Sequence, residues 1–371
     1  MAFTGKALYD NLTAYAEDVG DLVEVNAVWM SPVLNALGTN GRRATSVYHE
    51  WLEDRIIFET VISSTAITSI AAGGTSYFQP SFSGLQMQVG DVIRNGAEYM
   101  QVSAVTANSI AVTRGFGSSS TTSLAAGGTI QLVSNAALEG FDVTVDVSTA
   151  RSRKNNYVQI IQKPIIVSGS AQAMGTVGGI GDEVSYQKNK RVQDCLRDLE
   201  RAVTMGISTS TTGSSTVYRT MKGLWNFITT VNSAVVANSF TASPDTYLNA
   251  TIRSAWDNGG RDLDLVIAGP TFKNTLSTLN SSRVQTTNTE GTYRNLVTYY
   301  ESDFGRLEIV MTPFLPSSSL LVVNKSRCKV TPFRSFGYGE VAKTGDSYKG
   351  MVMGEYTMEV HHEETMAKLY V

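Results

Sequence analysis

Charge is scarce in this sequence. Asp, Glu, Lys and Arg make up 17% of its 371 residues, where an ordinary soluble domain carries about 25%. The two signs nearly cancel, leaving a net charge of −3 and a pI of 5.7. That balance excludes a global field drawing the chain to nucleic acid or an anionic membrane, so any DNA contact must be local. Of the two cysteines, neither Cys195 nor Cys328 matches a metal spacing, and they read as buried free thiols rather than a disulfide. No apolar run approaches the roughly 18 residues of a membrane span. Met1–Lys6 has no apolar signal core, so the expected place of synthesis and residence is a cytoplasm.

Catalytic motifs are equally thin. The run Gly175-Thr-Val-Gly-Gly-Ile-Gly181 precedes a helix, where backbone amides bind phosphate. It lacks a Gly-Lys-Ser/Thr ending and is followed by Asp182-Glu183, which repel phosphate. Gly175, Gly178, Gly179 and Gly181 therefore read as a hinge. His361-His-Glu-Glu364 looks like a metal cluster, but neighbouring strand side chains point to opposite faces, so a solvated polar patch is expected. His49 has no Gly-x-Ser-x-Gly elbow to serve. No enzyme, metal or cofactor is expected.

What the chain does have is apolar mass, 42% of residues, in a length beyond the roughly 250–300 residues at which one core stops growing, so two or three domains are expected. Ala137–Gly206 reads as one unit. Phe141–Ser148 alternates with the two-residue period of a strand and resumes at Asn156–Val167, with Arg151, Arg153 and Lys154 at a bend. From Asp182 to about Gly206 the period is helical. Val184, Val192, Cys195, Leu196, Leu199 and Val203 form an apolar stripe, and Arg197, Asp198, Glu200 and Arg201 belong to a charged surround. Arg151, Arg153, Lys154 and Lys163 could contact nucleic acid or pair with an acidic face of a neighbouring subunit; Arg197 and Arg201 are further inter-subunit candidates. An arm that reaches and a rod that supports suit assembly better than catalysis.

Residues 63–134 are almost free of charge. Asn95-Gly96 predicts a hairpin there, Ser109–Arg114 a third strand, and Ala-Ala-Gly-Gly-Thr recurs at 71–75 and 125–129. An inserted β-module is expected, because Trp51–Ile62 and Leu138–Val147 read as two strands of one hairpin. Residues 1–45 offer a short helix at Leu8–Asp18, with Pro32 and Gly38 breaking regular structure. Tyr48 onward opens as a turn or short helix. After a polar loop at 208–216, helices are expected at Pro244–Trp256 and Pro270–Leu279. Strands are expected at Leu263–Pro270, Tyr299–Met311 and Ser319–Asn324, with a final pair within Lys349–Val371. The class is α+β.

The order and spacing of Tyr48–Asp54, Val89–Ile93 with Glu98–Val102, Asn156–Ile161, Ser168–Gln172, Asp198–Ala202, Leu265–Phe272 and Gly305–Val310 carry a likeness across most of the chain. It resembles the major capsid (major head) protein of tailed double-stranded DNA bacteriophages. That family has the Hong Kong 97-like fold, and the likeness is to the branch with a β-module in the extended loop. The resemblance implies an N-terminal arm at 1–45, an extended loop at 46–62 and 135–175 and the module at 63–134. It also implies a peripheral domain with its spine helix at 176–214 and 337–371, and an axial domain at 215–336. It further implies self-assembly into hexamers and pentamers of an icosahedral virion head made in the host cytoplasm. Expected partners are a portal, possible scaffold or decoration proteins, and packaged DNA held non-specifically, with no membrane. A tail-tube or decoration protein is the alternative, and the long charged helix and mixed α/β region argue against it.

Overall fold

Pro32 and Gly38 bound a helix rather than break one. In the computed structural model of this chain, residues 31–38, 41–54, 60–62, 74–78, 87–106, 109–123, 125–126, 128–140, 151–174, 182–234, 244–279 and 299–371 are described. The helix expected at Leu8–Asp18, the strand at Phe141–Ser148 and the glycines Gly175, Gly178, Gly179 and Gly181 lie outside the described residues. The chain divides into two units, residues 51–154 and residues 1–50 with 155–371. Helix α1 (Pro32–Leu37) starts on the proline, whose missing N–H a first turn does not need, and buries Val33, Leu34 and Leu37. Tyr48 then opens β1 (Tyr48–Glu53) directly as strand.

The smaller unit holds a six-stranded sheet of β2 (Thr60–Ile62), β3 (Thr75–Phe78), β4 (Asp91–Asn95), β5 (Glu98–Val105), β6 (Ile110–Thr113) and β7 (Thr129–Asn135), in the order β2-β7-β4-β5-β6-β3. Met87, Ile93, Met100, Val102, Ile110, Val112 and Ile130 form its core. The hairpin is present, but its turn is Gly96-Ala97, one residue beyond the expected pair: Asn95 is a strand residue opposite Glu98. Gly96 has φ +59°, at the first central position, where a two-residue turn favours glycine. Side-chain burial sets this register, since Asn95 and Glu98 both point inward. The expected pairing of Trp51–Ile62 with Leu138–Val147 falls mostly outside the described residues. Thr60–Ile62 pairs with Thr129–Gln131, a stretch whose Ile130 fills the core. Arg153 and Lys154 lie not at a bend but within β8 (Ser152–Tyr157), just after Arg151. β8 pairs with β1, and the boundary between the units falls inside both strands.

In the larger unit the expected strand at Asn156–Val167 is broken at Val158, which is buried and donates its N–H to Val47 O at 2.9 Å. β9 (Gln159–Ser168) follows, then α2 (Gly169–Ala173) and α3 (Glu183–Met205). Asp182 caps α3, accepting the N–H groups of Val184 and Ser185 at 3.1 and 3.3 Å, and Gly206 ends it. Its 23 residues make a rod of about 35 Å. The chain continues through α4 (Leu224–Phe227), β10 (Asn232–Ala234), α5 (Pro244–Asp257), β11 (Leu265–Ala268), α6 (Pro270–Leu279), β12 (Tyr299–Ser302), β13 (Gly305–Met311), β14 (Ser319–Val323), β15 (Cys328–Glu340), β16 (Ser347–Val360) and β17 (Ala367–Tyr370).

Two sheets organise these elements. One is mixed, in the order β10-β17-β14-β11-β13-β12, with β11 parallel to β13 and antiparallel to β14. Its central strands read Leu-Val-Ile-Ala and Ser-Leu-Leu-Val-Val and are buried throughout, the pattern of strands covered on both faces. Leu248, Ile252, Phe272 and Leu276 from α5 and α6 share a core with Val266, Leu320 and Leu369. The other sheet, β15-β16-β9, carries α3 against it. The two closing strands exist but sit in different sheets: β16 pairs with β15 and β9, and β17 with β10 and β14. Between them His362 takes φ +52° and Glu363–Thr365 makes a 3-10 turn, which redirects the chain. β15 has no counterpart in the sequence expectations. Its Tyr338 and Phe336 occupy the space where Gly350 and Gly354 of β16 lack a Cβ.

Candidate assembly surfaces

The exposed side of α3 and the neighbouring β9 carry a ladder of ion pairs. Asp194 holds Arg191 at 2.5 Å and Arg197 at 2.9 Å, and Asp198 holds Arg201 at 3.1 Å and Lys163 of β9 at 2.6 Å. Arg201 also stacks over Phe314, 5.0 Å from the ring centre. Lys163, Arg197 and Arg201 are thus brought together, each already facing a carboxylate of its own chain. Such half-exposed pairs are worth about 0–1 kcal/mol, so they set the local charge pattern more than the stability. Arg151, Arg153 and Lys154 are exposed, in or just before β8, and belong to the other unit.

Two grooves flank the Lys163–Asp198 pair between β9 and α3. One, about 750 Å³, is lined by Ile166, Met174, Gln187 and Arg191 among others. The second, about 740 Å³, is lined by Ile160, Met205, Ile207 and Tyr218. Ile166 is 67% exposed, Met174 69%, Ile207 71% and Tyr218 89%. Large apolar side chains left this open, one on β9 and the others just beyond α2 and α3, form a surface that association would cover. The alternation of β9 creates half of it: Ile161, Ile165 and Val167 face inward while Ile160 and Ile166 face out.

Glu200 departs from the expectation that it belongs to the charged surround. It is fully buried, and its two carboxylate oxygens accept the N–H groups of Val33 at 2.9 Å and Leu34 at 3.0 Å, with Thr312 as a third partner. Burial raises its carboxyl above the ordinary value, against the opposing hydrogen bonds. Helical spacing held the clue: Glu200 is four residues from Leu196 and three from Val203, on the stripe side.

The histidines separate by partner. Glu359 takes His49 Nε2 at 2.5 Å and His361 Nε2 at 3.2 Å, while His362 Nδ1 lies 3.3 Å from Glu364. Burial opposes ionisation of Glu359, but hydrogen bonds from His361 and His49 prevail and hold it down to about 2. Among the described residues no group of three or more His, Cys, Asp or Glu is placed to hold a metal ion. Cys195 and Cys328 are free and buried. Burial pushes the Cys195 thiol up to about 11 and Cys328 higher in the same direction, the reverse of a reactive cysteine. The first amides of α3, the nominal phosphate site, are occupied by Asp182. None of the described helices is long and apolar enough to cross a membrane.

Comparison with known proteins places these features in context. The family model described as SU10 major capsid protein matches residues 7–371. Among solved structures, the chain is similar to the capsid of Myoviridae phage XM1 at 12% identity, with 99% of each chain covered and a TM-score of 0.51. It is similar to a Microbacterium phage Oxtober96 chain at 11% identity, covering 97% of this chain and 96% of that one, also with a TM-score of 0.51. The capsid of an empty GTA particle gives 6% identity, 100% and 99% coverage and a TM-score of 0.51. At such identities the likeness is one of fold. No curated protein matches the chain.

Proposed function

Since this chain belongs to the family of SU10 major capsid proteins, it is a structural protein of the virion's icosahedral head shell, and we propose that it builds that shell as hexamers and pentamers of itself. Its fold is the Hong Kong 97-like capsid fold. The family match over residues 7–371 carries the reading. The open apolar grooves along α3 and β9 support it physically, because a shell protein needs large repeated interfaces rather than a reactive pocket.

In this proposal residues 1–45 are an arm reaching a neighbour, 46–62 and 135–175 the extended loop, and 63–134 its inserted module. Residues 176–214 and 337–371 make the peripheral domain around α3, and 215–336 the axial domain nearer the capsomer centre. Gly175, Gly178, Gly179 and Gly181 act as the hinge at the root of the loop. Arg151, Arg153, Lys154, Lys163, Arg197 and Arg201 contribute to contacts between subunits, where their pairs can be shared or exchanged across a boundary. A portal, scaffold or decoration protein and packaged DNA are the further partners. The low net charge suits an inner wall that does not grip DNA, whereas a basic lining would bind it with strong salt dependence. No catalytic role is assigned, and synthesis is placed in the host cytoplasm.

The test is a charge placed in the groove. Ile207→Asp with Tyr218→Asp replaces two exposed apolar side chains, so the fold should survive, as judged by circular dichroism, while sedimentation shows only unassembled chains. Particles of normal size and yield from this variant would remove the groove from the interface.

A further inference from the structure

A nearly neutral chain has no global pull on nucleic acid, but a local group of cations can hold a phosphate backbone. Arg42, Arg43, Arg219 and Arg334 make such a group, drawn from three segments of the larger unit. The first two sit on a stretch fixed to β15: Gly41 donates its N–H to Val330 O at 3.3 Å and Ala44 to Pro332 O at 3.0 Å. Glycine makes this approach possible, since a Cβ at Gly41 would lie 2.1 Å from the Thr331 hydroxyl. Arg43 Nε donates to Phe333 O at 3.1 Å, which brings its guanidinium to the residue before Arg334. Arg334 Nε donates to one oxygen of Glu355 on β16 at 2.9 Å, and Arg219 donates to the other oxygen at 2.9 Å.

Positive charge exceeds the carboxylate that faces it. Glu355 is 4% exposed and serves two guanidiniums, of which Arg219 is 17% exposed and Arg334 50%. Arg219 cancels the buried carboxylate, so the charge of Arg334 is left for a ligand, together with those of the exposed Arg42 and Arg43. Glu359, one turn of the pleat further along β16, is already engaged by His49 and His361. Neither apolar groove beside α3 is lined by these arginines, so they lie outside the surface assigned to shell contacts. Each guanidinium is a planar fork of five N–H donors, and the bonds above use one on Arg43 and those of Arg334 that face Glu355. The remaining donors match phosphate oxygens, which a phosphodiester chain supplies in series.

We propose that Arg42, Arg43 and Arg334 form a binding site for the phosphate backbone of nucleic acid, with Arg219 and Glu355 as the buried pair that orients Arg334. The site takes the backbone without regard to base sequence. The choice of nucleic acid over an acidic protein segment rests on the head-shell reading, in which the shell encloses a genome. The site itself lies within one unit of the chain, so the unassembled chain carries it. Three cations neutralise about three phosphates, which sets a slope of log affinity against log salt of about −2.7. That slope is about a fortyfold loss of affinity between about 50 and about 200 mM salt.

The experiment is fluorescence anisotropy of a labelled DNA duplex of mixed sequence, titrated with the unassembled full-length chain across that salt range. The parent should bind with the full slope. Arg42→Ser with Arg43→Ser changes only exposed side chains and should flatten it to about −0.9, and adding Arg334→Ser should leave no salt-dependent binding. Arg151→Ser with Arg153→Ser and Lys154→Ser removes as much charge from β8 and its approach and should leave the parental slope. Absence of salt-dependent binding by the parent would overturn the proposal, as would a parental slope in Arg42→Ser with Arg43→Ser. Loss of binding in the β8 variant alone would do the same. Displacement of the duplex by polyglutamate at equal charge concentration would overturn the assignment to nucleic acid. Electron microscopy of the same variants keeps the two readings apart: shells from chains that no longer bind the duplex are expected, whereas duplex binding by a parent that forms no shells would remove the shell reading and leave the site standing.

Discussion

Breaking the buried ion pair of the smaller unit should cost that unit a large part of its stability. Arg114 Nε lies 2.5 Å and its second terminal nitrogen 2.6 Å from the two oxygens of Glu98, and both side chains are 0% exposed. The same carboxylate accepts the N–H groups of Thr122 at 2.7 Å and Gly115 at 3.2 Å, and Arg114 also donates to Thr122 O and Ser76. The single segment Arg114–Thr122 thus folds its side chain and two amides onto one carboxylate. Burial alone would raise the Glu98 carboxyl, but Arg114 and the two amides prevail and hold it below its ordinary 4.5. Glu98→Gln removes the carboxylate charge that the buried Arg114 guanidinium faces, a loss of about 3–5 kcal/mol against a total stability of about 5–15 kcal/mol for a domain. Arg114→Met leaves the anion and should cost a similar amount. The double variant removes both charges, so it should be more stable than the two losses added together. It retains the cost of the unmatched Thr122 carbonyl and of the amide, Gly115 or Thr122, that then faces the NH2 group introduced by Glu98→Gln, about 1–3 kcal/mol each. Hydrogen exchange at β4 and β5 amides, followed through a urea series, reads each value. Strict additivity, or a loss below about 1 kcal/mol in either single variant, would refute the claim that the pair is a desolvated unit.

Other outcomes follow from the same kind of reasoning. Because Glu359 is held down to about 2 from its ordinary 4.5, its contribution is complete above 4.5 and lost as pH falls through about 2. It is worth about 3 kcal/mol, and thermal unfolding of Glu359→Gln should lose less stability across that window than the parent. Gly354→Val would drive a branched side chain into the Phe336 ring and should cost about 1–3 kcal/mol in urea unfolding, with β15–β16 exchange rising first. Gly178→Val with Gly179→Val should block particle formation while leaving exchange protection in β11 unchanged. Cys195 and Cys328 should resist thiol reagents at neutral pH in the native protein and react once it is unfolded, as a timed labelling assay would show.

The parts legible in the sequence were those whose causes are local. The caps Asp182 and Gly206 and a single apolar stripe specify α3 within its own segment, and Pro244 and Pro270 mark the starts of α5 and α6 in the same way. The continuous apolar runs of β11 and β14 announce buried strands. What escaped depends on distant partners. Pro332, Gly337 and Gly339 make β15 look like a turn region, yet its ladder to β16 and the filling of two glycine gaps by Phe336 and Tyr338 make it a strand. The hairpin slipped by one residue because Glu98 answers to Arg114. Glu200 resembles any surface acid until the first turn of α1 is placed on it. Of the contact candidates, Lys163, Arg197 and Arg201 share one face, a grouping that needed the β9–α3 packing to appear.

Electron microscopy of the purified recombinant protein, alongside its sedimentation profile, tests the central claim most directly. Closed shells, or rings of five and six subunits, are the predicted result. Long tubes with a central channel, or a chain that stays monomeric, would contradict the account.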